Sequence, residues 1–490
     1  MSTEKQKSIK KNFVMNALLT MSSFIFPLIT FPYVSRVLLP SGTGKVSFAT
    51  SLISYFTMFS QLGIPTYGIR ACAKVRDNKE KLTRTAQELL TINLLMAAIS
   101  YVGLFIALTF VERLQEDKIL YLVVSVSILL NAIGMEWLYK ALEQYTYITI
   151  RSIVFKSIAL VAMFLLIHSE KDYVYYGFLS IFAASASNVF NFINVHKYIE
   201  IKPIGNYNFR RHLKPVAVFF AMACATTIYT NLDTVMLGFM TSDVEVGYYN
   251  AAVKIKYILV SVVTSLGTVL LPRASYYIEH NKIDEFKKIS QKALNFVFLV
   301  ASPMMVYFII FAKQGIFFLS GDNYAGSIIS MQIIMPTLLL IGITNILGIQ
   351  ILVPLGREKI VLYSEIAGAV VDLILNAILI PRFASAGAAL GTLAAEAAVL
   401  VVQYVALKKD MSKIFKTIHY WKILLGIGLG VVASIWVINL KLGDFITLVV
   451  SALLFFGVYG IFLLATKEPL VVELIEQVVV KTAKKIKHLE

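Results

Sequence analysis

Fourteen runs of roughly twenty apolar residues follow one another along the chain, each about what a helix needs to cross the ~30 Å hydrocarbon core of a bilayer. They lie near 13–38, 45–66, 86–110, 118–139, 147–168, 174–196, 215–240, 247–271, 293–312, 327–353, 360–380, 384–407, 421–440 and 445–465. Inside hydrocarbon the backbone must satisfy its own N–H and C=O groups, so runs of this length predict helices. Composition agrees: 58% of residues are hydrophobic and 15% charged, against about 45–50% and about 25% in soluble domains. The expected class is an all-α integral membrane protein with 14 transmembrane helices.

The charges between the runs predict an orientation. Lys and Arg collect after even-numbered spans, as in Arg70, Lys74, Arg76, Lys79, Lys81 and Arg84 after span two. Lys197, Lys202, Arg210, Arg211 and Lys214 follow span six, and Lys408, Lys409, Lys413 and Lys416 follow span twelve. The odd loops are short and carry little charge. Cytoplasmic loops accumulate Lys and Arg, so both termini are expected to face the cytoplasm. The same rule accounts for the net charge of +16 without nucleic acid as a partner.

Other function classes drop out. "P-S-G-T-G-K-V-S", Pro40 to Ser47, resembles a phosphate loop, but Val46 stands where the hydroxyl is required and Leu39 where the first glycine is. The loop also falls on the expected outer face. Cys72 and Cys224 make neither a metal spacing nor a disulfide framework. The six histidines form no zinc-protease motif. With no long loop to hold a catalytic domain, neither an enzyme, nor a metal, nor a cofactor is expected.

A faint repeat divides the chain. "G-K-V-S-F-A" (Gly44 to Ala49) opens span two, and "G-Y-Y-N-A-A" (Gly247 to Ala252) opens span eight. Each follows a short outer loop, and each span ends at a proline, Pro65 or Pro272, before a basic inner loop. An offset of six spans gives two halves of like orientation, related by an axis along the membrane normal. The expected division is an N-lobe over 1–200, a C-lobe over 201–410, appended spans over 411–466 and a tail over 467–490. The tail repeats apolar residues at helical spacing before Lys481, Lys484, Lys485 and Lys487, which predicts an amphipathic helix on the inner leaflet.

Ionisable residues within the spans are the candidate site, because at about 2.5–3.5 kcal/mol each at the bilayer centre they usually face a cavity or a partner. Asp233 in span seven is too short to snorkel far, so a cavity or a salt bridge is expected. Lys254 is the cavity candidate of span eight, with Lys256 the one to snorkel. By depth, Asp233 and Lys254 could also pair. Arg36 reads either as an anchor to a phospholipid headgroup or as a bidentate guanidinium for a phosphate. Asp372 and Glu396, near the midplane with Glu365, read as an ion or proton site, or as polar packing against Asn376. Glu136 and Lys140 are spaced as a local helical pair. Arg151 and Lys156 lie deeper on the inner side, where they could meet an anionic substrate. Asn188, Asn191 and Asn194 form a stripe suited to sugars or to helix–helix hydrogen bonds.

Several stretches keep a shared order: "I-T-F-P-Y-V-S-R-V-L" (29–38), "L-G-I-P-T-Y-G-I-R-A-C-A-K" (62–74), "N-L-D-T-V-M-L-G" (231–238) and "G-Y-Y-N-A-A-V-K" (247–254). "L-P-R" (271–273), "I-L-V-P-L-G-R-E-K" (351–359) and "N-A-I-L-I-P…G-A-A-L-G-T" (376–392) follow. In that order the chain resembles the Wzx-type flippases of lipid-linked oligosaccharides, in the multidrug/oligosaccharidyl-lipid/polysaccharide exporter superfamily. The resemblance implies two six-helix lobes around a cationic cavity, working by alternating access in a bacterial cytoplasmic membrane. It implies an undecaprenyl-pyrophosphate-linked capsule or O-antigen repeat unit as substrate, carried by a protein expected to be a monomer. Membrane lipids, a polysaccharide polymerase and glycosyltransferases are the expected partners. Arg36, Arg70, Asp233 and Lys254 sit at matching motif positions. Together with the depths of Arg151, Lys156, Asp372 and Glu396 in their spans, this makes Arg36, Arg70, Arg151, Lys156 and Lys254 the expected substrate-binding residues, and Asp233, Asp372 and Glu396 the expected ion-coupling ones. Lipid II flippases of the superfamily carry a charged cluster deep in span one, whereas span one here is uncharged before Arg36. A drug/cation antiporter of the same superfamily is the nearest rival.

Overall fold

The structure is a computed structural model that describes residues 9–415, 418–473 and 476. Every element among the described residues is helical. Eleven helical segments are long and apolar enough to cross a membrane. Two of these, Val14–Ala73 and Glu358–Lys408, have 60 and 51 residues. The Asp243–Glu279 helix is a further 37 residues. The fourteen expected crossings correspond to these helices if each double-length segment crosses twice and Asp243–Glu279 crosses once.

Each double-length segment holds a break. A straight 60-residue helix would measure about 90 Å, some three hydrocarbon thicknesses, so the break is what fits it to a bilayer. The first falls at Leu39, with φ 58° and ψ 178°, immediately before Pro40. A residue before proline is driven out of the helical region by the pyrrolidine ring. The second falls at Ala384, with φ 47° and ψ −124°, three residues past Pro381.

The chain forms two compact units, Met1–Asn250 and Ala251–Glu490. The first holds one core around Ile64, Leu82, Leu89, Trp137 and Leu138 and another around Val34, Leu38 and Met163. The second is built on Ile283–Ile310, whose Phe286, Leu294 and Tyr307 share a core with Phe455 and Tyr459. The helices Tyr420–Ser434 and Asp444–Ala465 are thus part of that core. The Tyr459 hydroxyl donates to the carbonyl of Leu299 at 2.9 Å, and that of Tyr307 to the carbonyl of Leu448 at 2.8 Å. Large apolar side chains such as Leu95, Phe105 and Leu453 stand exposed on the outside, as lipid-facing helices require. The amphipathic helix expected over 467–490 lies outside the described residues past 473, apart from Glu476.

Candidate functional site

The two glycines of the faint repeat meet. A Cβ on Gly44 would stand 1.7 Å from the carbonyl oxygen of Asp243 and 2.9 Å from the nitrogen of Gly247, and one on Gly247 would stand 2.1 Å from the carbonyl oxygen of Pro40. Only backbones without side chains pass this closely. One turn below, a Cβ on Gly238 would fall 2.2 Å from the Phe48 ring. The turn that follows Leu39 is therefore locked against the turn that joins Arg210–Met240 to Asp243–Glu279.

Charges surround this crossing. Arg113 forms a short ion pair with Asp243, donates Nε to the carbonyl of Gly238 at 3.1 Å and binds Glu116 at 2.7 Å. Its guanidinium also lies 5.6 Å from the Phe48 ring centre. Lys45 reaches Asp117 at 2.9 Å, and the Tyr173 hydroxyl donates to the same carboxylate at 2.8 Å. Burial pushes the Asp243 carboxyl above the usual carboxylate range, against the pull of Arg113. Burial lowers the Arg113 guanidinium, and the charge and hydrogen bond of Asp243 more than reverse it. Arg113, Asp117 and Asp243 were not singled out in the sequence, where they read as ordinary loop charges.

Asp233 is buried, and it accepts a short hydrogen bond from the Tyr249 hydroxyl. Next to it, Asn250 donates to Thr234 at 3.4 Å. The motifs N-L-D-T and G-Y-Y-N thus touch through adjacent residue pairs, and Tyr249 is a partner of Asp233 that its sequence did not announce. Lys254 is half-buried. Lys256, expected to snorkel, is only 6% exposed and holds its ammonium 5.0 Å from the Tyr257 ring centre. A neighbouring aromatic face, rather than water, receives that charge.

Arg36 is exposed and donates to the carbonyl of Pro32 at 2.6 Å, one turn back in its helix. Arg70 is exposed in the last turn of Ile64–Ala73. Arg151 is buried and holds protein groups: it donates to the carbonyl of Ser187 at 2.8 Å and pairs with Glu136 at 3.4 Å. Ser187 closes a π-helical turn over Phe182–Ala186, a wide turn that displaces carbonyls from their regular partners. Glu136 also pairs with Lys140 at 2.8 Å, as the helical spacing predicted. Asn188 donates to Asn131 at 3.2 Å, so one member of the asparagine stripe joins helix to helix.

Lys156 points its ammonium at two hydroxyls, Ser22 and Ser23, each at 2.9 Å. In the second unit, Asp372, Asn376 and Glu396 are all buried. A Cβ on Gly391 would stand 2.1 Å from Oδ1 of Asn376 and 3.1 Å from Oδ1 of Asp372, so that glycine makes room for the pair. Among the described residues no cluster of His, Cys, Asp and Glu has the arrangement of a metal site.

Glu88 is a site residue that sequence reading missed. It is 0% exposed and accepts from Arg211, from His212 at 2.7 Å and from the backbone N–H of Asn208 at 2.6 Å. His212 meets the Tyr67 hydroxyl at 2.8 Å on its other nitrogen. Beside Glu88, Gln87 donates to the carbonyls of Glu200 and Lys202 at 2.8 and 2.9 Å. The basic loop after span six is thereby tied to the Lys79–Phe110 helix.

A family described as polysaccharide biosynthesis protein matches residues 9–278, and one described as MatE matches 218–378. A protein of Escherichia coli (strain K12) named "Putative O-antigen transporter" is 25% identical over 391 residues, 79% of this chain and 94% of its own length. Among solved structures, the lipid II flippase MurJ in an inward closed conformation superposes with a TM-score of 0.71 at 16% identity, covering 91% of this chain and 98% of that one. An outward-facing multidrug resistance transporter of the MATE family, in the MOP superfamily, gives 0.52 at 13% identity, covering 83% and 95%. The two structural likenesses establish the transporter fold.

Proposed function

The chain belongs to the polysaccharide biosynthesis protein family, as a Wzx-type member of the MOP superfamily, and from that premise we propose that it flips lipid-linked oligosaccharides across the bacterial cytoplasmic membrane. The match to the O-antigen transporter over 94% of that protein's length carries this reading. The cargo is an undecaprenyl-pyrophosphate-linked repeat unit of a capsule or O-antigen. Both termini face the cytoplasm, and the protein works as a monomer beside the polymerase and glycosyltransferases of its pathway.

The mechanism is alternating access. The glycine crossing and the Arg113–Asp243 pair seal the outer turns in the conformation described, and export requires that they part. The charged headgroup enters past Arg70 and leaves past Lys254 and Arg36, while the polyprenyl tail stays in lipid. No bond is made or broken. Moving one charge through 100 mV is worth about 2.3 kcal/mol, so an inside-negative potential favours outward passage of a twofold anion by about 4–5 kcal/mol. Asp233, Asp372 and Glu396 couple an ion to the return step.

The test is to deplete the protein and measure lipid-linked oligosaccharide on the inner leaflet. Build-up that is reversed by the wild-type chain supports the reading. The match to MatE over 218–378 favours one alternative, a drug/cation antiporter. Normal sugar-lipid export combined with altered resistance to cationic compounds would establish that instead.

A further inference from the structure

Lys156 is placed unlike the other charges. It is the twelfth of the 22 residues of Tyr145–Leu166, about 16 Å along a helix of about 33 Å. Among the described residues it forms no salt bridge with a carboxylate. Two of its three N–H donors go to Ser22 and Ser23, and both serine hydroxyls in turn reach the carbonyl of Leu19, at 2.6 and 3.3 Å. Those bonds aim the serine lone pairs at the ammonium and leave its third N–H and its charge on offer. The ammonium stands in the wall of an open groove of about 270 Å³, whose other lining residues include Leu18, Met21, Ile25, Phe26, Ile153 and Leu160. A single cation at the wall of an apolar groove complements one kind of molecule, an anionic head on an apolar tail.

Depth chooses among such molecules. A phospholipid of either leaflet keeps its phosphate at the interface, about 15 Å from the bilayer centre. A phosphate that reaches the middle of a spanning helix belongs to a lipid that is crossing. The groove's volume, about 270 Å³, lies just below the usual small-molecule range of about 300–1,000 Å³, so it suits a phosphate and the first carbons of a tail rather than an oligosaccharide. Resting on the flippase reading above, we propose that Lys156, Ser22 and Ser23 form a halfway station for a polyprenyl (pyro)phosphate, holding its phosphate against the ammonium and the head of its tail in the groove. Either serine hydroxyl, turned away from Leu19, adds a second donor to the phosphate.

Binding of farnesyl pyrophosphate, farnesol and inorganic pyrophosphate to the purified full-length protein, by equilibrium dialysis, tests this. A charge-assisted hydrogen bond corresponds to about a ten- to hundredfold effect. Lys156→Met should weaken farnesyl pyrophosphate by that factor and leave farnesol unchanged, while Lys156→Arg restores most of the loss. Inorganic pyrophosphate, lacking the tail, should bind more weakly than farnesyl pyrophosphate. Equal binding of farnesyl pyrophosphate to wild type and Lys156→Met overturns the proposal. So does displacement of the probe by phosphatidylglycerol at matched concentration, which would make this a site for bulk phospholipid. Should Lys156→Met lose its monodisperse elution, the Ser22→Ala/Ser23→Ala pair decides: weaker binding there with Lys156→Arg intact supports the station, and unchanged binding refutes it. The flippase reading stands or falls separately, on inner-leaflet build-up after depletion.

Discussion

Gly44 and Gly247 cross with no room for a methyl group on either: a Cβ on the first would stand 1.7 Å from a backbone oxygen, and one on the second 2.1 Å from another. The neighbouring atoms are main chain and cannot rotate aside. Gly44→Ala and Gly247→Ala should each force the two turns apart, at about 1–3 kcal/mol for an overpacked contact. Thr43, buried beside the crossing, supplies the readout. A Thr43→Cys reporter should react faster with a membrane-impermeant maleimide when either alanine is present. Unchanged labelling would show that the turns absorb the methyl group.

Arg113 and Asp243 should be coupled across the same contact, even though desolvation of the carboxylate outweighs their attraction. Their side chains are 22% and 13% exposed, so the pair is more sheltered than a surface pair worth about 0–1 kcal/mol. A double-mutant cycle of Arg113→Ala and Asp243→Asn should give a coupling of about 1–2 kcal/mol in the closure equilibrium.

Acid should tighten the closure. The buried Asp243 carboxyl holds its proton more firmly in the closed turn than it would when exposed. Linkage then favours the closed turn as pH falls through that raised value, and the contribution fades as pH rises past it. Labelling of Thr43→Cys should slow on external acidification, and Asp243→Asn should flatten that dependence.

Tyr249→Phe removes a donor from a buried carboxylate without changing its packing. The expected penalty is about 1–3 kcal/mol, read as a lower export rate or a lower melting temperature. If Asp233 couples an ion, Asp233→Asn should make export insensitive to collapse of the ion gradient at constant potential. Export that keeps its full ion dependence in Asp233→Asn would remove that residue from coupling.

Glu88 carries a separate prediction about stability. Glu88→Ala leaves the buried His212 without its acceptor, while the Arg211 side chain, 43% exposed, can turn to water; an unsatisfied buried group costs about 1–3 kcal/mol. A sharp fall in melting temperature and in yield of folded protein should result, with Glu88→Gln intermediate because it keeps the shape and one acceptor.

What the sequence disclosed follows from how far each signal reaches. The apolar runs and the basic loops are local, so the helices and their breaks at Leu39 and Ala384 fall where the runs end. Gly44 and Gly247 were visible as a repeated pair, but nothing local says that they touch. Partners defeated the reading most often: Arg113 and Asp243 are 130 residues apart, and Glu88 and His212 are 124 apart. Lys256 was misread because helical depth alone does not show the aromatic ring beside its ammonium. Ser22 and Ser23 resemble any small polar residues in a membrane helix, and only the position of Lys156 makes them ligands.

The hydroxyl of Tyr459 that pins the carbonyl of Leu299 has a consequence for how the chain is made. The two residues are 160 positions apart, and a ribosome adds about 5–20 residues per second. For about 8–32 s after residue 299 is synthesised, the second core lacks the aromatic wall supplied by Phe455 and Tyr459. During that interval the nascent Ile283–Ile310 helix, already inserted, must keep its future contact face open to lipid or to an insertion chaperone. Maturation of the second unit therefore waits until Asp444–Ala465 has left the ribosome.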